Sequence, residues 1–403
     1  MRVRKKCRIC NHRLQNIISF KKISLVGNFF KKEGDSKKFP ISLNFCKKCK
    51  HVQIAEIINP KKLFTDYLWQ TSVSKTNFLL FNELIKQYRK FLTKKTKVLE
   101  IACNDGSFLK YLQKKIDCFL LGIDPAKNIF KENKKIKFLN SFFNVSSSKT
   151  LGKKYGKFDI IFARNVLAHV TDPNEIFKGV KNLLSKKGIF VIEVPHLLPI
   201  LKNIQYDNIF HEHQGFHSLK SISDLCKKNG LTVSNVKEIN SQGGSIRCEI
   251  INEEKNVNSK IKKFINYEFK NRLFDTKYLR SFKYKILSHN KAMYNFLYNL
   301  KNRNNKISVY GASGKGQALM QFCNINYKLI DKVYDKSNLK KGRFTPGTNI
   351  KINLSKYIDR KNIDYLLLLS WNLKSEIMSQ EKVFFKQGGK FIIPFPKPRI
   401  IKI

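Results

Sequence analysis

The chain has 403 residues, 42% hydrophobic and 27% charged, an ordinary globular balance that excludes a disordered or collagen-like chain. At roughly 100–200 residues per domain it has room for two or three domains, and no apolar run reaches the ~18 residues that a membrane span needs. Its 79 Lys and Arg against 29 Asp and Glu give a net charge of +50, which raises a nucleic-acid reading. The Lys pairs, however, are spread from Lys5-Lys6 through Lys94-Lys95, Lys186-Lys187 and Lys227-Lys228 to Lys340-Lys341, with no concentrated arm. That spread fits compositional drift better than a nucleic-acid footprint, which clusters on one face. Anionic ligands such as nucleotide pyrophosphates would still be drawn in. The basic start, Met1 to Lys6, runs into Cys7 and Cys10 rather than an apolar stretch, so no secretory signal is read and a cytoplasmic protein is expected.

The first segment carries Cys7-Arg8-Ile9-Cys10 and Cys46-Lys47-Lys48-Cys49. Two thiolates separated by two residues grip a tetrahedral metal from one tight turn, and two such turns complete a four-cysteine zinc site. The gap between the pairs is longer than in most zinc ribbons, so an inserted hairpin is expected around residues 32–35. With four ligands the metal has no open position and is structural. In so small a module it contributes on the order of 10 kcal/mol of folding energy.

An aromatic stretch, Phe64-Thr65-Asp66-Tyr67-Leu68-Trp69, leads into an amphipathic helix through Phe78, Phe81, Leu84 and Ile85. Then come a buried-strand run, Val98 to Ile101, the turn Ala102-Cys103-Asn104-Asp105-Gly106, a helix through Phe108, Leu109 and Leu112, and a second strand, Phe119 to Ile123, ending in Asp124. Strand, tight turn, helix, strand and acid form the nucleotide-binding half of a doubly wound sheet, the acid accepting two ribose hydroxyls. With a single Gly the turn is not the dinucleotide form; an Asn/Asp-bearing turn suits adenosylmethionine, which has no pyrophosphate. Further strands are expected at 158–163 and 188–194, with a closing pair at 231–236 and 245–251. Helical, Lys-rich chain follows to about residue 305. Tyr310-Gly311-Ala312-Ser313-Gly314-Lys315-Gly316 then opens a small α/β domain. It fails the P-loop spacing but suits a phosphate-cradling turn, with Ser313, Lys315 and Gly316 as contacts. Close packing of a helix on a strand would account for the same glycines.

Four of the eight His fall between residues 196 and 217, densest in Phe210-His211-Glu212-His213. Two imidazoles flanking a carboxylate suit acid/base work; a metal pair or a purely structural cluster uses the same residues.

In these motifs the chain resembles the nucleotide-sugar C-methyltransferases of deoxysugar biosynthesis. The paired CxxC turns, the 98–106 strand and turn, Asn165-Val166-Leu167-Ala168-His169-Val170, Phe210-His211-Glu212-His213, Gly243-Gly244-Ser245-Ile246-Arg247, the 310–316 turn, Gly342-Arg343-Phe344-Thr345-Pro346-Gly347-Thr348 and Ser370-Trp371-Asn372-Leu373 all follow the family's order. The resemblance implies an α/β chain of three parts: a zinc-binding domain over 1–60, a class I Rossmann-like methyltransferase domain over 61–252, and a second Rossmann-like domain over 253–403. It implies structural zinc on Cys7, Cys10, Cys46 and Cys49, and S-adenosylmethionine on Glu100, Ala102, Asn104, Asp105, Gly106, Asp124 and Asn165. The acceptor would be a 4-keto-6-deoxy sugar on a nucleoside diphosphate, held by Asn165, His169, Ser313, Lys315, Gly316 and Arg343. By position His213 becomes the base that removes the proton beside the ketone, with Glu212, His211 and Tyr67 in support. Phe210 stands where the family has Tyr, so an enolate-stabilising hydroxyl is missing and Tyr67, His211 or a water would replace it. Cys103 replaces the family's more usual Ser, and Arg164 is unusual beside Asn165. O- or N-methylation of a related anionic substrate is the alternative chemistry, and a zinc-containing RNA-binding protein the alternative class. A monomer or homodimer without specific nucleic acid or membrane partners is expected.

Overall fold

The structure is a computed structural model describing residues 1–34, 36–129 and 133–401. By its internal contacts the chain forms two units, each built from three chain segments: 1–17, 43–198 and 214–275 make the first, and 18–42, 199–213 and 276–403 the second.

The first unit centres on a seven-stranded sheet, in the order Thr232–Ile239, Ser245–Ile251, Leu184–Pro195, Phe158–Arg164, Lys97–Ile101, Phe119–Asp124, Ile136–Asn140. Five strands run parallel and the closing pair is antiparallel. Because side chains alternate along a strand, Val98, Leu120, Ile160, Phe162 and Val191 line one face with Phe81, Leu84, Phe108 and Leu112. Leu99, Leu121, Ile161 and Ile192 line the other, with Phe177, Val180, Ile222 and Leu225. Helix Lys75–Tyr88 buries Phe81, Leu84, Ile85 and Tyr88, the spacing of a single helical stripe.

The CxxC turns join the second of these cores, where Cys7, Ile9, Cys46 and Cys49 are buried. The four Sγ atoms lie within 4.8 Å of one another, with Cys7 and Cys49 at 3.5 Å and Cys10 and Cys46 at 3.4 Å. These separations are far beyond a ~2.05 Å disulfide and fit sulfurs placed around one tetrahedral zinc at ~2.3 Å. The expected insertion is a hairpin of strands Gln15–Ser24 and Lys38–Phe45; Asp35 lies outside the described residues.

The second unit is built on a six-stranded sheet, in the order Ile352–Leu354, Lys332–Asp335, Ile307–Tyr310, Tyr365–Leu368, Lys390–Ile393, Arg399–Ile401, parallel except for the last strand. The helical stretch before it is two helices, Ser259–Lys270 in the first unit and Thr276–Lys301 in the second. Arg272 breaks them with φ +57°, and Leu273 beside it is fully buried. Among the described residues no helix is long and apolar enough to cross a membrane.

Cys10→Ser is expected to lose the zinc and destabilise the CxxC module by several kcal/mol. Metal analysis and hydrogen exchange across residues 7–57 would show it; full zinc retention with unchanged exchange would contradict the structural role.

Candidate active site

In the first unit, the turn after strand Lys97–Ile101 places Ala102, Asn104 and Gly106 at φ +53°, +54° and +70°. Two of these are non-glycine residues in the left-handed region, a strain that surrounding contacts must hold. Asp124 supplies part of that hold. Its Oδ2 accepts from the Asn104 amide at 2.8 Å and its Oδ1 from the Ala126 amide at 2.8 Å. Each oxygen keeps a second lone pair, so a ribose diol can still be received. Burial raises the Asp124 carboxyl above its usual range, and the two amides oppose that rise.

The side chains of Asn104 and Asp105, expected at the cofactor, hold the aromatic strap. Asn104 Oδ1 accepts from the Thr71 amide at 2.9 Å, its Nδ2 donates to the Trp69 carbonyl, and Asp105 Oδ2 accepts from the Ser72 amide. Tyr67 is fixed through its backbone, which exchanges hydrogen bonds with the Asn128 side chain at 2.9 and 2.8 Å. Phe64 of the same strap meets the ring of His169 edge-on at 5.7 Å. Asn165 also adopts a positive φ, +55°, and its amide donates to the Glu193 carbonyl.

Glu100 is buried beneath this turn and accepts from Arg164 at 2.5 Å. Burial pushes its carboxyl up to about 7, with Arg164 pulling the other way. The guanidinium rests on the edge-to-face pair of Phe81 and Phe108, at 4.7 and 4.4 Å from their centroids. The residue that looked unusual beside Asn165 is therefore the partner of Glu100. A second buried pair, Glu193 with Arg247, lies at 2.7 Å and extends to Gln87.

The His-Glu-His segment belongs to the second unit. His213 Nδ1 lies 2.8 Å from the Asn208 carbonyl. A carbonyl only accepts, so Nδ1 carries the proton and Nε2 is the basic nitrogen of the neutral ring. Phe210 packs on that ring with centroids 4.0 Å apart. His211 Nε2 donates to the Pro40 carbonyl at 3.0 Å. Glu212 is buried against Gly27, where a Cβ would come within 2.6 Å of its Oε1. Burial lifts the Glu212 carboxyl to about 7; the Gly27 amide and Lys340 oppose that rise.

The segment is anchored by residues that sequence reasoning missed. The Tyr206 hydroxyl reaches His289 Nδ1 at 2.9 Å, and His289 Nε2 donates to the Pro394 carbonyl at 2.8 Å. Asp207 Oδ2 accepts from Trp371 Nε1 at 2.7 Å. Burial raises the Asp207 carboxyl, and the Lys315 cation and the Trp371 bond counter it. Lys315 is buried in helix Gly314–Phe322, and its amine sits 5.9 Å above the Trp371 ring. Ser313 caps that helix by accepting from the Gly316 amide at 3.2 Å. Gly316 itself packs so closely on Leu369 that a Cβ would lie 2.5 Å from that side chain, so close packing accounts for this glycine. Arg343 donates to the Phe29 carbonyl at 3.2 Å. At the neighbouring strand end, Asp335 accepts from the Ala312 amide at 2.7 Å and the Ser337 amide at 2.8 Å, the arrangement that Asp124 makes in the first unit.

The structure thus gathers Glu100, Ala102, Asn104, Asp105, Gly106 and Asp124 at one turn, and His211, Glu212 and His213 on one segment of the other unit. The only signal for Asp207 and Asn208 was their place just before that segment. A backbone carbonyl that orients an imidazole leaves no mark in composition.

Three family descriptions match the chain in order: residues 7–64 a putative zinc binding domain, 75–236 a methyltransferase domain, and 240–396 a C-methyltransferase C-terminal domain. The chain is 29% identical over 405 residues to the C-methyltransferase NovU of Streptomyces niveus, covering 98% of this chain and 96% of that protein. It is 31% identical over 148 residues to a tRNA U34 carboxymethyltransferase of Campylobacter lari, covering 34% of this chain and 45% of that one. Among solved structures, magnesium protoporphyrin IX methyltransferase from Synechocystis PCC 6803 with bound SAM aligns at TM-score 0.33 and 12% identity, over 43% of this chain and 78% of that one.

Two outcomes check the electrostatics. Arg164→Met strands the Glu100 carboxyl in the core and should lower stability by about 3–5 kcal/mol in urea denaturation. The Glu212 carboxyl is raised from its ordinary value to about 7 in the folded state. Its contribution is therefore complete below the unfolded pKa, near 4.3, and is lost as pH rises through about 7. Glu212→Gln should gain stability relative to the wild type between pH 5 and 8; a constant difference would place the carboxyl in water.

Proposed function

We propose that this chain, a member of the S-adenosylmethionine-dependent C-methyltransferases, methylates the carbon beside the ketone of a nucleoside-diphosphate-linked 4-keto-6-deoxy sugar. The observation that supports the reading is the His213–Asn208 hydrogen bond, which puts the ring proton on Nδ1 and makes Nε2 the basic nitrogen, on the same short segment as Glu212, whose carboxyl burial raises to about 7. A carbon acceptor needs that combination, because carbon is not nucleophilic until its proton leaves.

Adenosylmethionine, when bound, supplies an electrophilic methyl on a sulfonium. The residues at its turn fit it: Asp124 has lone pairs to offer the ribose, and the Ala102–Gly106 backbone is held in the shape that lets a ligand approach. The chemistry then falls to the second unit. His213 Nε2 takes the proton from the carbon beside the ketone, and the electron pair passes to the ketone oxygen. Glu212, in its protonated form, donates to that oxygen and carries the work of the absent tyrosine hydroxyl. The Phe210 face stabilises the imidazolium by about 0.5–2 kcal/mol. The enolate carbon would then be the nucleophile toward that methyl, whose bond to sulfur breaks with the electron pair leaving on sulfur as a neutral thioether, and His213 later returns its proton to water.

His213→Ala is expected to reduce methylation by about 100-fold or more, as loss of a general base does, with adenosylmethionine affinity within about twofold. In D2O without adenosylmethionine, the wild type should exchange the proton beside the ketone and the variant should not. NMR of the product should place the methyl on a ring carbon. A methyl on oxygen, or full turnover by the variant, would overturn the reading.

A further inference from the structure

Residues 18–42, inserted between the two CxxC turns, belong to the second unit, the unit of the His-Glu-His segment. Their tip is held there by the 343–349 loop and by helix Gly314–Phe322. Phe30 and Phe344 exchange backbone hydrogen bonds at 3.2 and 2.8 Å, and Arg343 donates to the Phe29 carbonyl. The Gly347 amide donates to Ser36 Oγ at 2.8 Å, and that hydroxyl donates to Ser24 Oγ at 2.6 Å. Gln321 of the helix accepts from the Ser24 amide at 2.7 Å and donates to the Ser24 carbonyl at 3.3 Å. The Lys340 amine lies 5.5 Å over the Phe29 ring.

The tip so held ends against the segment that carries the base. Val26 is 1% exposed, and its Cγ2 and Phe210 Cζ lie 3.4 and 3.6 Å from the point where Gly314 would carry a Cβ. Beside it, the Gly27 amide donates to the Glu212 carboxyl. A Cβ on Gly27 would stand 2.6 Å from Glu212 Oε1. The demand for glycine comes from that carboxyl and not from the backbone, because φ at Gly27 is not positive. An N–H only donates, so the oxygen it meets acts as acceptor and the proton of the neutral carboxyl is left to the other oxygen.

We propose that Gly27 is a positioning residue for the methyl transfer: its amide holds one oxygen of Glu212, so that the other presents its proton to the ketone oxygen of the acceptor. The inference rests on the role given to Glu212 above. It makes the loop between the zinc ligands part of the reaction's geometry. It also gives the Gly342–Thr348 motif a task, that of holding the loop in place, with Arg343 serving the Phe29 carbonyl.

The test uses the full zinc-loaded chain and a panel of nucleoside-diphosphate-linked 4-keto-6-deoxy hexoses. The atom that must yield to a Cβ at residue 27 is the end of the Glu212 side chain, so Gly27→Ala moves the carboxyl and spares the fold. It should lower kcat by about tenfold or more, as misplacing an oxyanion donor does, with KM and adenosylmethionine affinity within about twofold. In a Glu212→Ala chain the same substitution should cost less than about twofold, since the group it displaces is gone. Equal losses in both backgrounds would make Gly27 a packing residue and overturn the proposal. Wild-type kcat in Glu212→Ala would sink the role of Glu212 and this inference with it. A crippled Glu212→Ala beside a fully active Gly27→Ala would overturn this inference and leave that role standing. Should Gly27→Ala fail to melt cooperatively, Ser36→Ala loosens the same tip. It should speed hydrogen exchange at residues 25–30 and lower kcat several-fold, whereas faster exchange with full kcat would overturn the proposal.

Discussion

Each unit depends on an aspartate at the end of a strand whose two carboxylate oxygens are taken by backbone amides. Asp124 joins the amide of the neighbouring turn to the amide two residues ahead of itself, and Asp335 repeats the pattern. An N–H donor buried without a partner is expensive, so this one side chain fixes the path of the turn, while Asp105 and Ser313 hold the starts of the following helices. In the first unit the arrangement leaves lone pairs for a ligand. In the second, Lys340 reaches both the Ala312 carbonyl at 2.9 Å and Asp335 at 3.4 Å. The same frame therefore presents an open carboxylate in one unit and one partnered by the protein's own cation in the other.

The central strands of the first unit were legible because buried parallel strands read as short apolar runs between turn signals, whereas the half-exposed edge strand Ile136–Asn140 was not, and the order of strands in the sheet was not read. The zinc ligands were legible because two CxxC turns in one small module bring four thiolates to a single point, where metal ligation is the chemistry that holds them. The turn at residues 102–106 was legible as a position but not as a conformation: with one glycine it gives little hint that Ala102 and Asn104 also lie at positive φ. Their strain is held by Asp124 and by the strap at 69–72, contacts that depend on residues far apart in the chain.

At the His-Glu-His segment, residue types were readable and their settings were not. Which imidazole nitrogen holds the proton follows from a carbonyl five residues upstream. The fate of Lys315 follows from Asp207, more than a hundred residues away, and a glycine-rich spacing could not reveal that burial would place the amine opposite a carboxylate. Arg164 shows the converse: a residue that looks out of place in a motif becomes intelligible once Glu100 is seen beneath it.

The assembly of the second unit from segments 18–42, 199–213 and 276–403 has a consequence for synthesis on the ribosome. A nascent chain of 275 residues already contains every zinc ligand and the whole turn around Asp124. The imidazole at 213 by then has its orienting carbonyl, but His289, Trp371 and Pro394, which anchor its segment, have yet to be translated. The support around that imidazole is thus completed only when the last strands of the second unit have been made, well after the Asp124 turn is in place.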